Sequence, residues 1–227
     1  RREVAEQINL SHDSIVNCGT LDHFAGMIGT GNIKKGKVSE STGTVLAIAA
    51  IADSFRTDKG TIPCHYGPFS DSYVYLPVCE SGGISLEWYR DNFAGPERIA
   101  AKDLGVSTYD LISSQAAKAK AGANKLLLLP FFMGSKATRW NPDARGAIFG
   151  LTLDHGRKEL ARAVMEGVAF ELRACLDVLR GMNMLPERIV LMGGGSKGKL
   201  WNQIKANVTG FSVGLPKQTE AASLGAF

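Results

Sequence analysis

Cysteine is scarce and scattered. The 227 residues hold four, Cys18, Cys64, Cys79 and Cys175, with no CxxC pair. That excludes a disulfide framework and a thiolate zinc site, and it fits free thiols in a reducing compartment, so a cytoplasmic protein is expected. Long apolar runs are missing as well. The longest are Val45 to Ala52 and Leu126 to Phe132, far short of the ~20 residues that cross a bilayer. No cationic, apolar and small-residue opening marks a signal peptide. Charge of one sign is not concentrated: 26 basic residues stand against 22 acidic, a net +4 with no dense Lys/Arg block. Neither a nucleic acid nor a membrane is expected as partner. There is no GxSxG, no HExxH and no clustered His/Asp/Glu set, so nucleophilic hydrolases and zinc enzymes lack support and no metal ligand is assigned. No repeat or low-complexity tract is found.

What is present is ordinary globular composition, 44% apolar and 21% charged, in a chain long enough for one or two domains with a sizeable core. The chain opens on Arg1-Arg2-Glu3-Val4 and stops at Ser223 to Phe227, within an apolar helical pattern. The expectation is a piece of a longer protein.

Strand-like and helix-like segments alternate. Ser41 to Ile51, β-branched and small after the turn Lys34 to Lys37, predicts a buried strand, and Tyr73 to Val78 a second. Ser85 to Phe93 predicts a helix with Ser85 as N-cap. Thr108 to Ala123 predicts an Ala-rich helix running into a strand, Lys125 to Phe131, which Pro130 ends. The clearest helix spans about Lys158 to Arg180. Its stripe of Leu160, Val164, Val168, Leu172, Leu176 and Leu179 repeats every three or four residues, and Gly181 offers a stop. A strand over Arg188 to Met192, a turn at Gly193-Gly194-Gly195, a helix over Lys199 to Val208 and a strand over Phe211 to Leu215 follow. The pattern is α/β layering.

Three segments could carry chemistry. The strand that delivers Gly193-Gly194-Gly195-Ser196-Lys197 to a helix start lets backbone approach an anionic ligand, although it is neither a complete GxGxxG nor a phosphate-loop motif; a plain tight turn is an equal reading. Ser41-Thr42-Gly43-Thr44 offers hydroxyls and amides to phosphate oxygens, or is simply a polar hairpin turn. Asp22 heads the apolar helix Asp22-His23-Phe24-Ala25-Gly26, where the dipole favours its charge; it is either a cap or a general base. Trp88 and Trp201 read as partly buried helix residues, and Arg145, in the turn Asn141 to Gly146, as a surface residue.

Taken in order, these segments resemble the FGGY carbohydrate kinases. Gly146-Ala147-Ile148-Phe149-Gly150-Leu151, and after seven residues Glu159-Leu160-Ala161-Arg162-Ala163-Val164-Met165-Glu166, are similar to the family's second signature. Leu129 to Gly134 and Asn141 to Gly146 look like the approach to it. Met192 to Lys197 with Trp201 and Gln203, and Glu220 to Ala226, look like the adenosine turn and C-terminal helix. The resemblance implies an actin-like fold of two ribonuclease-H-like domains around a cleft. Residues 1–37 would be the tail of the first, sugar-binding domain. Residues 38–227 would be the second, nucleotide-binding domain, clipped before its last helices.

By the same resemblance, Asp22 is the catalytic base. Thr44 meets the nucleotide phosphates, Gly83 lies against the nucleotide, and Gly194 against adenosine. Glu87 and Gly198 are neighbouring contacts; glycerol kinase has an amide at the first and an asparagine at the second, so both departures argue against glycerol as substrate. ATP and Mg²⁺ are the implied cofactors, a sugar the partner, and a homodimer remains open. The run Asp22 to Gly26 and the stretch from His155 to Gly167 look closest to the xylulokinase branch. The implied activity is phosphorylation of a sugar hydroxyl, a ketopentose such as xylulose leading. Gluconate, ribulose or erythritol kinases, and a non-catalytic actin-like nucleotide-binding regulator, are the alternatives. The fragment alone is expected to be inactive.

Overall fold

A computed structural model describes residues 2–14, 19–56, 62–218 and 220–226; Cys18 lies outside them. In chain order the elements are α1 (Arg2–Gln7), α2 (Asp22–Gly29), β1 (Val38–Thr42), β2 (Leu46–Ala52), β3 (Cys64–Tyr66), β4 (Tyr73–Tyr75), β5 (Val78–Cys79), α3 (Gly83–Phe93), α4 (Gly95–Leu104), α5 (Thr108–Ala116), β6 (Leu127–Leu129), β7 (Ala147–Phe149), α6 (Arg157–Gly181), β8 (Arg188–Met192), α7 (Lys199–Thr209), β9 (Ser212–Gly214) and α8 (Ala221–Gly225). Short 3-10 turns occupy Ala123–Lys125 and Gly194–Lys197.

The main sheet runs β3-β4-β2-β1-β8-β9, with β5 also on β2. β1 is antiparallel to β2 and parallel to β8, and β8 is parallel to β9. Every residue of β2 is buried, because both faces of the sheet are covered. That is why its sequence is a continuous apolar run and not an alternation. Leu46, Ile48, Ala50 and Ala52 face a core that contains the whole expected α6 stripe, with Leu160 packed at its margin. Ala49 and Ile51 face the other way, onto Phe24 and Met27 of α2. On that second face α2 also packs closely against α8; a Cβ on Gly29 would strike the Ala221 carbonyl. The α6 stripe thus falls where the 3.6-residue period puts it.

Several expected boundaries move, each for a physical reason. Ser41 to Ile51 is not one strand but the end of β1, a reversal closed by the Gly43 N–H donating to the Val45 carbonyl at 3.0 Å, and most of β2. Small and β-branched residues fill both arms, so composition hides the turn. α3 starts at Gly83, with Gly82 and not Ser85 as N-cap; Ser85 is buried and donates to the Ser81 carbonyl at 3.1 Å. α5 stops at Ala116 instead of reaching Ala123, with Ser107 as its cap. Beyond it, Arg162 and Glu166 of α6 capture the chain: Arg162 donates to the Ala119 carbonyl at 3.2 Å, and the Gly122 N–H donates to Glu166 at 3.0 Å. Asn124 and Lys125 then turn with positive φ, which delays β6 to Leu127. Gly181 lies within α6, and Met182 caps it.

Cys64, Cys79 and Cys175 are unbridged, as expected of free thiols. Among the described residues no helix is long and apolar enough to cross a membrane.

Candidate active site

At the ends of β1 and β8 the sheet opens into a cleft of about 540 Å³, a size that suits a small-molecule ligand. Four segments build it: the β1–β2 turn, the N-terminal turn of α3, the start of α5, and the glycine turn that leads from β8 into α7. It gathers five residues singled out in the sequence, Thr44, Gly83, Glu87, Gly194 and Gly198.

The β1–β2 turn and α3 are bonded backbone to backbone. The Gly82 and Ile84 N–H groups donate to the Thr44 carbonyl at 3.0 and 3.2 Å, and the Gly83 N–H to the Gly43 carbonyl at 2.7 Å. A Cβ on Gly83 would lie 2.3 Å from that carbonyl oxygen. Glycine is required at 83 by this contact, whatever occupies the cleft. Because the first amides of α3 are spent on the turn, α3 offers a ligand its dipole more than free donors. Gly43 and Thr44 remain exposed.

A second wall is the glycine turn. Gly193 has φ +78°, which the left-handed region reserves largely for glycine. A Cβ on Gly195 would press on Thr42, but one on Gly194 would meet nothing within 4 Å. Gly194 is therefore the member of the triplet whose bare face is turned to open space. The turn is braced by Ser196, whose hydroxyl donates to the Gly193 carbonyl at 2.7 Å, and by Asn202, whose amide donates to the Ser196 carbonyl at 2.6 Å. Gly198 caps α7 with an ordinary negative φ. Trp201 is buried, lines the cleft, and donates its indole N–H to the Met165 carbonyl at 3.0 Å.

Sequence reasoning missed the third wall. Ser107, Tyr109, Asp110 and Ser113 of the α5 region line the cleft beside Glu87. Arg90 ties them together, donating to Glu87 at 2.9 Å and to the Tyr109 hydroxyl at 2.7 Å. Burial pushes the Tyr109 phenol upward, so it stays a neutral donor. The Ser107 cap ahead of Thr108 was the readable signal for this helix start.

Asp22 does not line this cleft. It heads α2 with its side chain 83% exposed. The His23 N–H donates to it at 2.8 Å, and the His23 ring nitrogen Nδ1 lies 2.9 Å away. The His23 side chain, and then its backbone amide, hold the Asp22 carboxyl below its usual value. One turn along, Gly26 faces Met192 so closely that a Cβ would meet its sulfur at 2.9 Å. Met192 ends β8 just before the glycine turn, so α2 is seated against the strand that feeds the cleft.

The strongest sequence signature marks scaffold instead. Glu159 is buried, accepts from the Gly156 N–H at 3.0 Å and from Asn124 at 3.2 Å, and so caps α6. Arg162 and Glu166 pair at 2.7 Å. From the signature stretch only Met165 reaches the cleft. Trp140 and Arg145 are exposed. Among the described residues no group of three or more His, Cys, Asp and Glu converges to hold a metal.

The mixed sheet with a cleft at its strand ends is the actin-like ATPase fold of the solved sugar kinases it superposes on, and the chain corresponds to their C-terminal domain. The sequence model of the FGGY family of carbohydrate kinases, C-terminal domain, matches residues 43–227, and the chain belongs to that family. It is 34% identical over 226 residues to a gluconokinase of Bacillus subtilis, covering 99% of this chain and 44% of that protein. It is 30% identical over 211 residues to a xylulose kinase of Escherichia coli, covering 92% and 41%. Among solved structures it superposes on a xylulose kinase from Rhodospirillum rubrum with TM-score 0.87 at 27% identity, covering 100% of this chain and 44% of that one. A gluconate kinase from Lactobacillus acidophilus gives TM-score 0.86 at 27% identity, with the same coverage. The chain thus spans under half the length of the relatives it matches.

Proposed function

We propose that the chain is the nucleotide half of an ATP-dependent sugar kinase, with residues 1–37 closing the sugar-binding domain and 38–227 holding the nucleotide. The observation that carries this is the cleft itself: Thr44, Gly83, Glu87, Gly194 and Gly198, scattered along the sequence, line one cavity. The two glycine-bearing turns lie side by side at the ends of the paired strands β1 and β8, in contact through Thr42, and both line it. Thr44 presents its hydroxyl toward phosphate oxygens, Gly194 lets a purine nucleoside lie on bare backbone, and the helix N-termini of α3 and α7 favour the anionic end.

Asp22 is the proposed base. Its exposed carboxylate, ionised at neutral pH like any aspartate, would accept the proton of the attacking hydroxyl, a contribution of roughly 10²–10⁴ in rate. The chain's remaining task is to hold the phosphoryl group in line with that hydroxyl. Mg²⁺, bound mainly through nucleotide phosphates and waters, would offset the charge on the transferred group. The acceptor is an open-chain sugar or sugar acid. A ketopentose such as xylulose and gluconate both stand, because relatives of both names match over nearly the whole chain.

The test is a two-domain chain carrying this segment, assayed for ADP release against xylulose, ribulose, gluconate and erythritol. One acceptor should stand out, and Asp22→Asn should nearly abolish turnover while ATP still binds. Turnover within tenfold of wild type would remove Asp22 from the mechanism. Nucleotide binding without turnover on any acceptor would favour a regulator.

A further inference from the structure

Glu40 and Lys205 are both fully buried, 165 positions apart in sequence, and paired at 2.9 Å. The Lys205 ammonium also donates to the Thr42 hydroxyl at 2.7 Å, and that hydroxyl donates in turn to the second oxygen of Glu40. Lys205 further sits 5.1 Å from the centre of the Trp201 ring. We propose that Glu40 and Lys205 are positioning residues for the nucleotide: their ion pair holds Thr42 and thereby sets the gap between the two turns of the cleft. The inference rests on the nucleotide reading above.

Stability alone does not account for the pair. Two charges removed from water are costly, and apolar residues of similar volume generally stabilise a fold as well or better. What an ion pair adds is direction, and here its third partner is a cleft residue. Thr42 ends β1 and lines the cleft. Its side chain fills the space a Cβ on Gly195 would need, at 2.7 Å, its carbonyl oxygen would lie 2.9 Å from a Cβ on Gly193, and its γ-methyl lies 3.7 Å from the Cβ position of Gly83. One residue therefore touches the glycine turn and the start of α3 at once. Lys205 stands on α7, which follows the glycine turn, and Glu40 on β1, which precedes the Thr44 turn. The triad thus ties the two turns together. Lys205, Glu40 and Thr42, all at 0% exposure, cannot reach a ligand themselves; their influence passes through the packing of Thr42 against the glycine turn and the start of α3.

The experiment measures ATP binding by calorimetry, with Mg²⁺ present, together with thermal unfolding. The wild-type protein should bind ATP; no binding at all would defeat the nucleotide reading and this inference with it. In the doubly substituted Glu40→Met, Lys205→Met protein the melting temperature should stay near wild type, while Kd for ATP rises about tenfold or more, which is ~1.4 kcal/mol or more. A purely structural pair would leave Kd unmoved in that folded protein, and this result would overturn the proposal. If the double variant does not fold, Thr42→Val decides, because it leaves the ion pair intact and deletes only the hydroxyl. It should weaken ATP binding comparably, with Thr42→Ser restoring it. Wild-type affinity in folded Thr42→Val would overturn the proposal equally.

Discussion

Thr42 and Gly195 meet side chain to backbone across the floor of the cleft, with 2.7 Å between the Thr42 Cβ and the place where a Cβ on Gly195 would stand. Real carbon atoms do not approach so closely. Gly195→Ala must therefore push either β1 or the glycine turn aside, an overpacking that costs about 1–3 kcal/mol. Gly194→Ala, one residue away, meets open space and should leave unfolding unchanged. Thermal or urea unfolding of the two variants checks the contrast. Equal stability would mean that the turn is looser than described.

The α6 signature should prove structural. Glu166 accepts from Arg162 at 2.7 Å and from the Gly122 N–H at 3.0 Å, with both charged side chains nearly buried. Glu166→Ala leaves the Arg162 charge uncompensated, at a cost of about 3–5 kcal/mol. The loop ahead of β6 should loosen, and its amides should exchange faster with solvent. ATP affinity measured below the lowered melting temperature should stay within a few-fold of wild type. A tenfold loss of affinity with unchanged stability would place Glu166 in the site after all.

That contrast shows what was legible in the sequence. The α6 stripe, β8, the glycine turn and α7 lay where apolar period and glycine placement put them, because each is dictated locally. The resemblance brought Thr44, Gly83, Glu87, Gly194 and Gly198 to notice, and the fold draws them to one cavity. The α5 wall and the Glu40–Lys205 pair were not legible. Nothing local distinguishes Tyr109 or Lys205 from a surface residue, since their partners come from α3 and β1, distant in sequence. The end of α5 was misjudged for the same reason: alanine content favours helix, but Arg162 and Glu166 claim the backbone beyond Ala116.

The ionisation of Asp22 gives a pH test. The His23 side chain foremost, with its backbone amide, lowers the Asp22 pKa from 3.8. A lowered carboxyl favours folding above its unfolded pKa, and this contribution fades as pH falls through the folded value. Asp22 is so exposed that the effect on stability is slight, so the shift is best read on the carboxyl itself. Carbon-detected titration should find the Asp22 carboxyl below 3.8. In His23→Ala it should move up toward 3.8, because the ring contact is gone. An Asp22 midpoint at or above 3.8 in the wild-type protein would contradict the contact with His23.

Gly194 gives the most direct test of where the nucleotide lies. Its φ is not in the left-handed region, and a Cβ there touches nothing within 4 Å. A larger side chain is therefore accommodated by the fold and projects into the cleft. Gly194→Val should melt within a few degrees of wild type yet occupy the surface on which the nucleoside is proposed to rest. Kd for ATP should rise at least tenfold, equivalent to ~1.4 kcal/mol. In a two-domain chain, KM for ATP should rise far more than KM for the sugar, because the acceptor is proposed to approach from the other domain. The variant thus separates a ligand surface from a structural bend. If folded Gly194→Val keeps wild-type ATP affinity, the glycine turn only reverses the chain and the nucleotide must lie nearer the α5 wall. Ser113→Leu, on the inward face of α5, would then be the variant that blocks binding.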